Sequence, residues 1–179
     1  MPAAEPIETA RLRLEPFGEA HLTEIYVAWL NDPEIVRYSE QRHRRHNLEG
    51  SRLWVQSMRA GGHPLWAIEA KNPPLGHIGN IAAYVDAPNR LADVSILIGA
   101  RAAWGKGLGA EAWRAACDWL LDCALLRKVT GGTMAANRAM VRVMERTGMR
   151  PDGMRAGQFL LDGEAVDLVH YARFAPNQS

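Results

Sequence analysis

The chain has 179 residues, of which 47% are apolar and 23% charged, and its formal net charge is +1. This composition predicts one globular domain and gives no electrostatic reason to expect nucleic acid or an anionic membrane as a partner. No run of about 18 apolar residues predicts a membrane-spanning helix, and the first residues lack the basic and then apolar pattern of a signal peptide, so we expect a cytoplasmic protein.

Hydrophobic periodicity predicts strands and helices in alternation along the first half of the chain. Alternating polar and apolar residues predict strands, and apolar residues spaced at three and four positions predict amphipathic helices. In chain order, the predicted elements are a strand over 11–17, a helix over 21–30 with a short helical stretch to Tyr38, a polar loop over 39–47, a helix over 48–59, strands over 65–69 and 77–85 joined by a turn at 72–74, and a strand over 93–98.

The second half continues the same alternation. In chain order, it contains a predicted helix over 109–124, a strand over 128–134, a helix with Asn137 as N-cap that ends at Gly148, and two strands over about 157–161 and 165–173. This order predicts an α/β domain built in layers, with a mixed sheet and helices on both faces. We expect one domain over residues 1–179, with residues 1–6 and 175–179 flexible.

Cysteine and histidine spacing predicts neither a disulfide nor a metal site. Cys117 and Cys123 lie in one predicted helix at a spacing that points them to different faces. The chain contains no Cys-x-x-Cys and no His-x-x-x-His pattern. We therefore expect two structural thiols and no bound metal.

A glycine-rich turn between a predicted strand and a predicted helix carries most of the functional information. It reads Trp104-Gly105-Lys106-Gly107-Leu108-Gly109. Glycines at alternate positions remove the Cβ atoms that would hold a ligand away from the backbone. The free N–H groups and the dipole of the helix's first turn both favour an anion there. These features predict a cradle for a pyrophosphate group.

Two other pyrophosphate-binding motifs fit this turn less well. Gly105-x-Gly107-x-x-Ala110 matches the dinucleotide fingerprint, so a dinucleotide-dependent oxidoreductase is an alternative. That fingerprint requires an acidic residue about 20 residues later, at the end of the next strand. The strand over 128–134 contains no carboxylate, and no Lys-Ser or Lys-Thr pair follows the last glycine as a P-loop requires.

Several short segments stand in a characteristic order along nearly the whole chain. They are residues 7–14, 75–79, 104–109, 127–130, Asn137, and Glu145-Arg146-Thr147-Gly148-Met149. In this order and spacing the chain resembles the GNAT superfamily of acetyl-CoA-dependent N-acetyltransferases. The similarity is greatest to the branch that includes the ribosomal-protein N-terminal acetyltransferases and their small-molecule-modifying relatives.

The resemblance implies how the chain holds acetyl-CoA as its co-substrate. It implies a largely antiparallel sheet in which two central parallel strands, near 93–98 and 128–134, splay apart to admit the thioester. The backbone amides of the glycine-rich turn would bind the pyrophosphate, and the strand ending Leu97-Ile98-Gly99 would bind the pantetheine arm. Asn137 would lie near that arm. Trp104 occupies a position where the family often has Arg or Gln, and it serves equally as an aromatic residue that closes the turn.

The chemistry of acetyl transfer needs a base, an oxyanion donor and a proton for the leaving thiolate. Asp93 begins the cofactor strand near the place where relatives carry a glutamate, and is the candidate base. A backbone N–H near Ile98 is the candidate donor. The family's usual acid positions are Met140 and Met144 here, and both are better explained as core residues.

The acceptor side of the site carries one basic run, Arg42-His43-Arg44-Arg45-His46. It can be a solvated loop, or Arg44 and Arg45 can hold a carboxylate or phosphate of the acceptor. The preferred function is N-acetylation of a primary amine of a small molecule, an amino sugar or a protein N-terminus, by an enzyme that can form homodimers. Transfer of another acyl group and a non-catalytic coenzyme A-binding or sensing domain are the alternatives.

Overall fold

A sheet of eight strands is the frame of the computed structural model, which describes residues 3–71 and 75–176. The strands are β1 (Ile7–Glu8), β2 (Leu12–Pro16), β3 (Leu65–Ala70), β4 (Gly76–Asp86), β5 (Leu91–Ile98), β6 (Lys128–Met134), β7 (Arg150–Leu161) and β8 (Glu164–Phe174). The helices are α1 (Glu24–Leu30), α2 (Leu48–Ala60), α3 (Leu108–Asp122) and α4 (Arg138–Arg146). Short 3-10 helices lie at Glu19–His21, Glu40–His43 and Arg101–Ala103.

The strand order across the sheet is β1-β2-β3-β4-β5-β6-β8-β7. Within it β5 and β6 are parallel, and the other neighbouring pairs are antiparallel. A parallel pair needs a crossover connection, which α3 supplies here between β5 and β6. The prediction of a mixed, largely antiparallel sheet is confirmed.

Each face of the sheet has its own hydrophobic core. On one face, α3 and α4 bury Trp113, Leu120 and Met144 against the sheet. On the other face, α1 and α2 bury Tyr26 and Val55. Both helical pairs can pack in this way because their apolar residues repeat at helical spacing. Helices on both faces, as predicted, therefore leave the seam between β5 and β6 in the middle of the molecule.

Three segments differ from the sequence-based expectation. Residues 33–39 form turns rather than a short helix, and the Asp32 carboxylate accepts the Glu34 and Ile35 N–H groups where these turns begin. The polar run after them, expected as a loop, contains the 3-10 helix Glu40–His43. Strand β7 begins at Arg150 rather than near residue 157. The turn expected at 72–74 lies outside the described residues.

The N-terminus of α4 is capped as predicted. The side chain of Asn137 accepts the Met140 N–H at 3.2 Å and so caps α4, as expected.

Cys117 is buried, Cys123 is exposed, and both are free thiols. None of the helices in the described part of the chain combines the length and apolar character needed to cross a bilayer.

Candidate active site

The seam between β5 and β6 opens into a cleft of about 720 Å³. The two strands pair only from Leu91–Lys128 to Asp93–Thr130, although β5 continues to Ile98 and β6 to Met134. Each strand stays paired along this length with its outer neighbour, β4 or β8. The two strands therefore diverge beyond Asp93, which is the central splay expected from the sequence.

The divergence leaves backbone groups of β5 on an open edge. The Gly99 N–H donates to Ile78 O of β4 at 2.9 Å, so the alternation of an antiparallel ladder turns the Ile96 and Ile98 backbone groups away from β4. The Trp104 indole N–H donates to Ile98 O at 2.9 Å, which agrees with this orientation and closes one end of the edge. The Ile98 N–H and both backbone groups of Ile96 remain open toward the splay.

The glycine-rich turn places free amides beside the end of that edge. Gly107 is the N-cap of α3 with a φ of 76°, and it has no side chain to cap the helix. The first intrahelical bond runs from the Glu111 N–H to Gly107 O. The N–H groups of Leu108, Gly109 and Ala110 therefore lack a helical partner, at the positive end of the helix dipole.

Gly105 completes the turn with a φ of 72°, and a Cβ built on it would have no neighbour within 4 Å. An unobstructed backbone in the left-handed region at a helix N-terminus fits the pyrophosphate predicted there. At Gly99, packing rather than backbone conformation requires a glycine. A Cβ at Gly99 would lie 1.9 Å from the Trp29 ring, so the residue is small because α1 packs on the end of β5.

A network of polar side chains fixes the shape of the turn from outside. Arg11 donates to Lys106 O at 2.8 Å and to the Glu111 carboxylate at 2.6 Å. Thr9 Oγ1 donates to the other carboxylate oxygen at 2.6 Å. Desolvation alone would raise the pKa of Glu111, but the hydrogen bonds from Thr9 and Arg11 outweigh it and the pKa is lowered. The ionised Glu111 carboxylate thus ties the turn to the segment between β1 and β2.

Asp93 lies at the apex of the splay, at its last paired position. Its carboxylate accepts a hydrogen bond from Thr130 Oγ1 at 2.7 Å. Desolvation raises the pKa of Asp93, although part of the side chain reaches solvent, and the Thr130 hydrogen bond and the His170 imidazole act in the opposite direction. Asp93 is not in the cleft wall itself, whereas the next two residues, Val94 and Ser95, are.

The cleft extends from the splay to the helical face formed by α1 and α2. Tyr26 and Trp54 line it there, as does the side of β4 that carries Tyr84. Arg44 and Arg45, the predicted acceptor ligands, also line it, and both are exposed. The structure therefore brings these arginines to the same cleft as β5, which lies far from them in the sequence.

Packing from two sides holds the basic loop (residues 42–46) over the cleft. Asn31 at the end of α1 exchanges two hydrogen bonds of 2.9 Å with the His46 backbone. Arg42 donates to Leu160 O of β7 at 3.0 Å. These contacts use Asn31 and Arg42 for structure and leave the side chains of Arg44 and Arg45 directed to solvent and cleft.

The α4 side of the cleft contains Asn137 and Met140. The Asn137 amide is engaged on both ends, because it also donates to Thr133 Oγ1 at 3.1 Å. Met144 is completely buried in the core. Neither methionine can donate a proton, so the family's usual acid positions supply none here, as the sequence indicated. Within residues 3–71 and 75–176 no group of His, Cys, Asp or Glu side chains could hold a metal ion.

Two cleft residues were not identified from the sequence. Asn80 is a buried polar residue inside the apolar run of β4, a signal that was available in the sequence. Ser51 lies in the first turn of α2, where serine is common, and only the packing shows that its hydroxyl is buried. Both residues line the cleft.

Comparison with known proteins places these features in a family. A model of the acetyltransferase (GNAT) domain matches residues 11–150. The uncharacterized protein YkkB of Bacillus subtilis (strain 168) is 28% identical over 152 residues, which cover 83% of this chain and 87% of that protein.

Two solved structures are similar in fold at low sequence identity. Ribosomal L7/L12 alpha-N-protein acetyltransferase (RimL) in complex with coenzyme A is 18% identical, has a TM-score of 0.81, and is matched over 95% of this chain and 98% of that chain. Spermidine N-acetyltransferase from Vibrio cholerae, in complex with coenzyme A and spermine, is 19% identical with a TM-score of 0.81, over 93% of this chain and 97% of that chain. At these identities the likeness concerns the fold.

Proposed function

The chain belongs to the GNAT acetyltransferase family, and on that premise we propose that it transfers the acetyl group of acetyl-CoA to a primary amine. The observation that carries the proposal is the continuity of one binding path. The free amides at the N-terminus of α3 meet, at Trp104 and Ile98, the unpaired edge of β5, which leads into the splay. RimL and the spermidine acetyltransferase, both solved with coenzyme A, share this fold and support the choice of donor.

Each part of the path has a distinct task in the proposed reaction. The amides of Leu108, Gly109 and Ala110 bind the pyrophosphate, and the open edge at Ile96 and Ile98 orients the pantetheine arm as an added strand. Bound acetyl-CoA supplies an electrophilic thioester carbonyl. We propose that the Ile98 N–H stabilises the negative charge that develops on the thioester oxygen in the splay.

Asp93 is the general base in this proposal. The acceptor must lose a proton to become a neutral nucleophile, and a carboxylate with a raised pKa is a better base than an ordinary one. Asp93 is exposed but does not line the cleft, so in this proposal it takes the proton through water rather than by direct contact. The departing thiolate is protonated from solvent, since Met140 and Met144 have no proton to give.

The acceptor binds between the splay and the basic loop, where Arg44 and Arg45 line the cleft. We propose a small molecule or an amino sugar before a protein N-terminus, because the cleft volume is typical of small-molecule sites. The methionines at the acid positions also favour a second candidate, a non-catalytic coenzyme A-binding domain.

One experiment separates the two candidates. Acetyl-CoA binding is measured by calorimetry, and thiol release is followed with a broad panel of amines, with mass spectrometry of the products. Acetyl transfer predicts saturable binding together with amine-dependent thiol release and a product heavier by one acetyl group. Saturable binding without thiol release for any amine would instead support the non-catalytic domain.

A further inference from the structure

Two buried polar atoms in the cleft lack a hydrogen-bond partner in the described part of the chain. They are Ser51 Oγ on α2 and Asn80 Oδ1 on β4. Both residues line the cleft, and their exposed fractions are only 5% and 6%. Buried polar atoms are almost always paired, so two unpaired ones in the wall of one cleft are available to pair with a ligand.

The local geometry supports a binding role for Ser51 in particular. A serine inside a helix commonly returns its hydroxyl to the carbonyl one turn earlier. Here the Asn47 backbone carbonyl receives the Ser51 N–H, and the hydroxyl has no partner. Asn80 lies across from Leu97 in the β4–β5 ladder, on the face of the sheet that α2 covers. The two polar groups therefore belong to the acceptor part of the cleft, away from the glycine-rich turn.

The charged groups around the same part of the cleft sum to a positive rim. Glu40 lines the cleft, but its carboxylate is paired with Arg42 at 2.8 Å. The side chains of Arg44 and Arg45 form no hydrogen bond or ion pair with the rest of the described chain. A ligand in this cleft thus meets two unpaired guanidinium groups. Glu40 is the one carboxylate among the described lining residues, and it is paired with Arg42.

Resting on the proposed acetyl transfer, we propose that the acceptor is an amine that also carries an anionic group and a neutral hydrogen-bonding group. Arg44 and Arg45 bind the anion, a carboxylate or a phosphate, because guanidinium groups pair with both in a bidentate way. Ser51 and Asn80 bind the neutral hydroxyl or amide. A polyamine is a poor acceptor, since its additional ammonium groups would face the arginines as like charges.

Matched pairs of amines test this substrate class. Seryl-glycine is compared with its C-terminal amide for the carboxylate, and glucosamine 6-phosphate with glucosamine for the phosphate. Spermidine serves as the polycationic member. Initial rates of thiol release give kcat/KM for each. We expect at least one anionic member to exceed its neutral match roughly tenfold to hundredfold, the usual effect of charge-assisted hydrogen bonds. The better pair identifies the anion.

Single substitutions then assign the preference to residues. Arg44→Gln and Arg45→Gln should each reduce the ratio of kcat/KM between the anionic member and its neutral match, whereas Arg142→Gln on the exposed part of α4 should leave that ratio unchanged. Ser51→Ala should raise the acceptor KM several-fold without raising the KM for acetyl-CoA, and its melting temperature should be equal to or above that of the parent. If Ser51 had a structural role, Ser51→Ala would lower the melting temperature. Ser57→Ala on the same helix is the matched control.

The possible outcomes separate this inference from the proposed function. If amines are acetylated but the anionic members show no advantage, or spermidine is preferred, the substrate class is wrong and acetyl transfer stands. If acetyl-CoA binds and no amine releases thiol, the proposed transfer is wrong and the inference is overturned with it. An anionic preference that survives the Arg44 and Arg45 substitutions together also overturns the assignment.

Discussion

Replacement of Gly107 by alanine tests the pyrophosphate cradle most directly. Gly107 has a φ of 76°, and its Cβ would approach Arg11 only to an ordinary 3.6 Å, so the cost of Gly107→Ala is one of backbone conformation. A left-handed conformation costs a residue with a Cβ about 1–2 kcal/mol. For a chain of this size that corresponds to a fall in melting temperature of about 2–8 °C.

The effect on acetyl-CoA should be larger than the effect on stability. If the backbone of the Gly107→Ala variant relaxed to a negative φ at this position, the N–H groups of Leu108 and Gly109 would point away from their common focus. Loss of one charge-assisted hydrogen bond costs about 1.5–3 kcal/mol, so we expect acetyl-CoA to bind roughly tenfold to hundredfold more weakly. Calorimetry measures the affinity, and a thermal melt measures the stability.

Gly62→Ala is the matched control for this prediction. Gly62 has a φ of 67°, and its Cβ would also meet no close neighbour, with nothing within 4 Å, but it lies after the end of α2 and not in the cleft. Both variants should lose similar stability, and only Gly107→Ala should lose affinity. Equal affinity for acetyl-CoA in the parent and both variants would refute the role of the turn.

Two further predictions concern groups that titrate. Asp93→Asn should lower kcat roughly a hundredfold or more, which is the usual contribution of a general base, and should leave the Kd for acetyl-CoA unchanged. The pH–rate profile of the parent should show an acid limb above the ordinary carboxylate range, and the variant should lack this limb. An unaltered profile in the variant would contradict the prediction. Burial among aromatic rings and the neighbouring His21 lower the pKa of His77 to about 4. Between pH 4 and 6.5 the unfolded chain then binds more protons at this residue, so stability should fall by up to about 3 kcal/mol as the pH falls through that window. Urea unfolding at several pH values measures the slope, which His77→Gln should reduce; an equal slope in both proteins would rule the residue out.

The parts of the fold that follow local rules were predictable from the sequence. The strand predicted over 128–134 is β6 without change, because its apolar residues are bounded by turn signals on both sides. Asn137 caps α4 as expected, since its short side chain reaches the N–H three residues on. The glycine-rich turn at the start of α3 was predictable for the same reason, because glycine spacing and a helix start are local properties.

The start of β7 was not predictable from alternation. Nearly every residue of β7 is exposed, so no apolar face marks the strand. Its pairing with β8 also shifts register between Pro151 and Gly153 and again between Arg155 and Phe159, which breaks any period of two. β7 is an edge strand of the sheet, and its position depends on pairing with β8 rather than on its own sequence pattern.

The proposed acceptor site was only partly predictable, for a different physical reason. A composition-based argument could select Arg44 and Arg45, because they are a dense basic run. It could not decide whether they are free, since that depends on Arg42 pairing with Glu40 and on Asn31 holding the loop. The unpaired state of Ser51 and Asn80 likewise depends on how α2 packs over β4.

Acetyl transfer does not require a protein acid at the positions of Met140 and Met144. A thiol has a pKa of about 8.5, so a departing thiolate is protonated by water near neutral pH without help. The amine must lose a proton before it can attack the thioester, and this is the step for which we propose a protein group. In the proposed mechanism Asp93, whose pKa is raised, is the proton acceptor at the apex of the splay. The site gives up only a donor that solvent can replace.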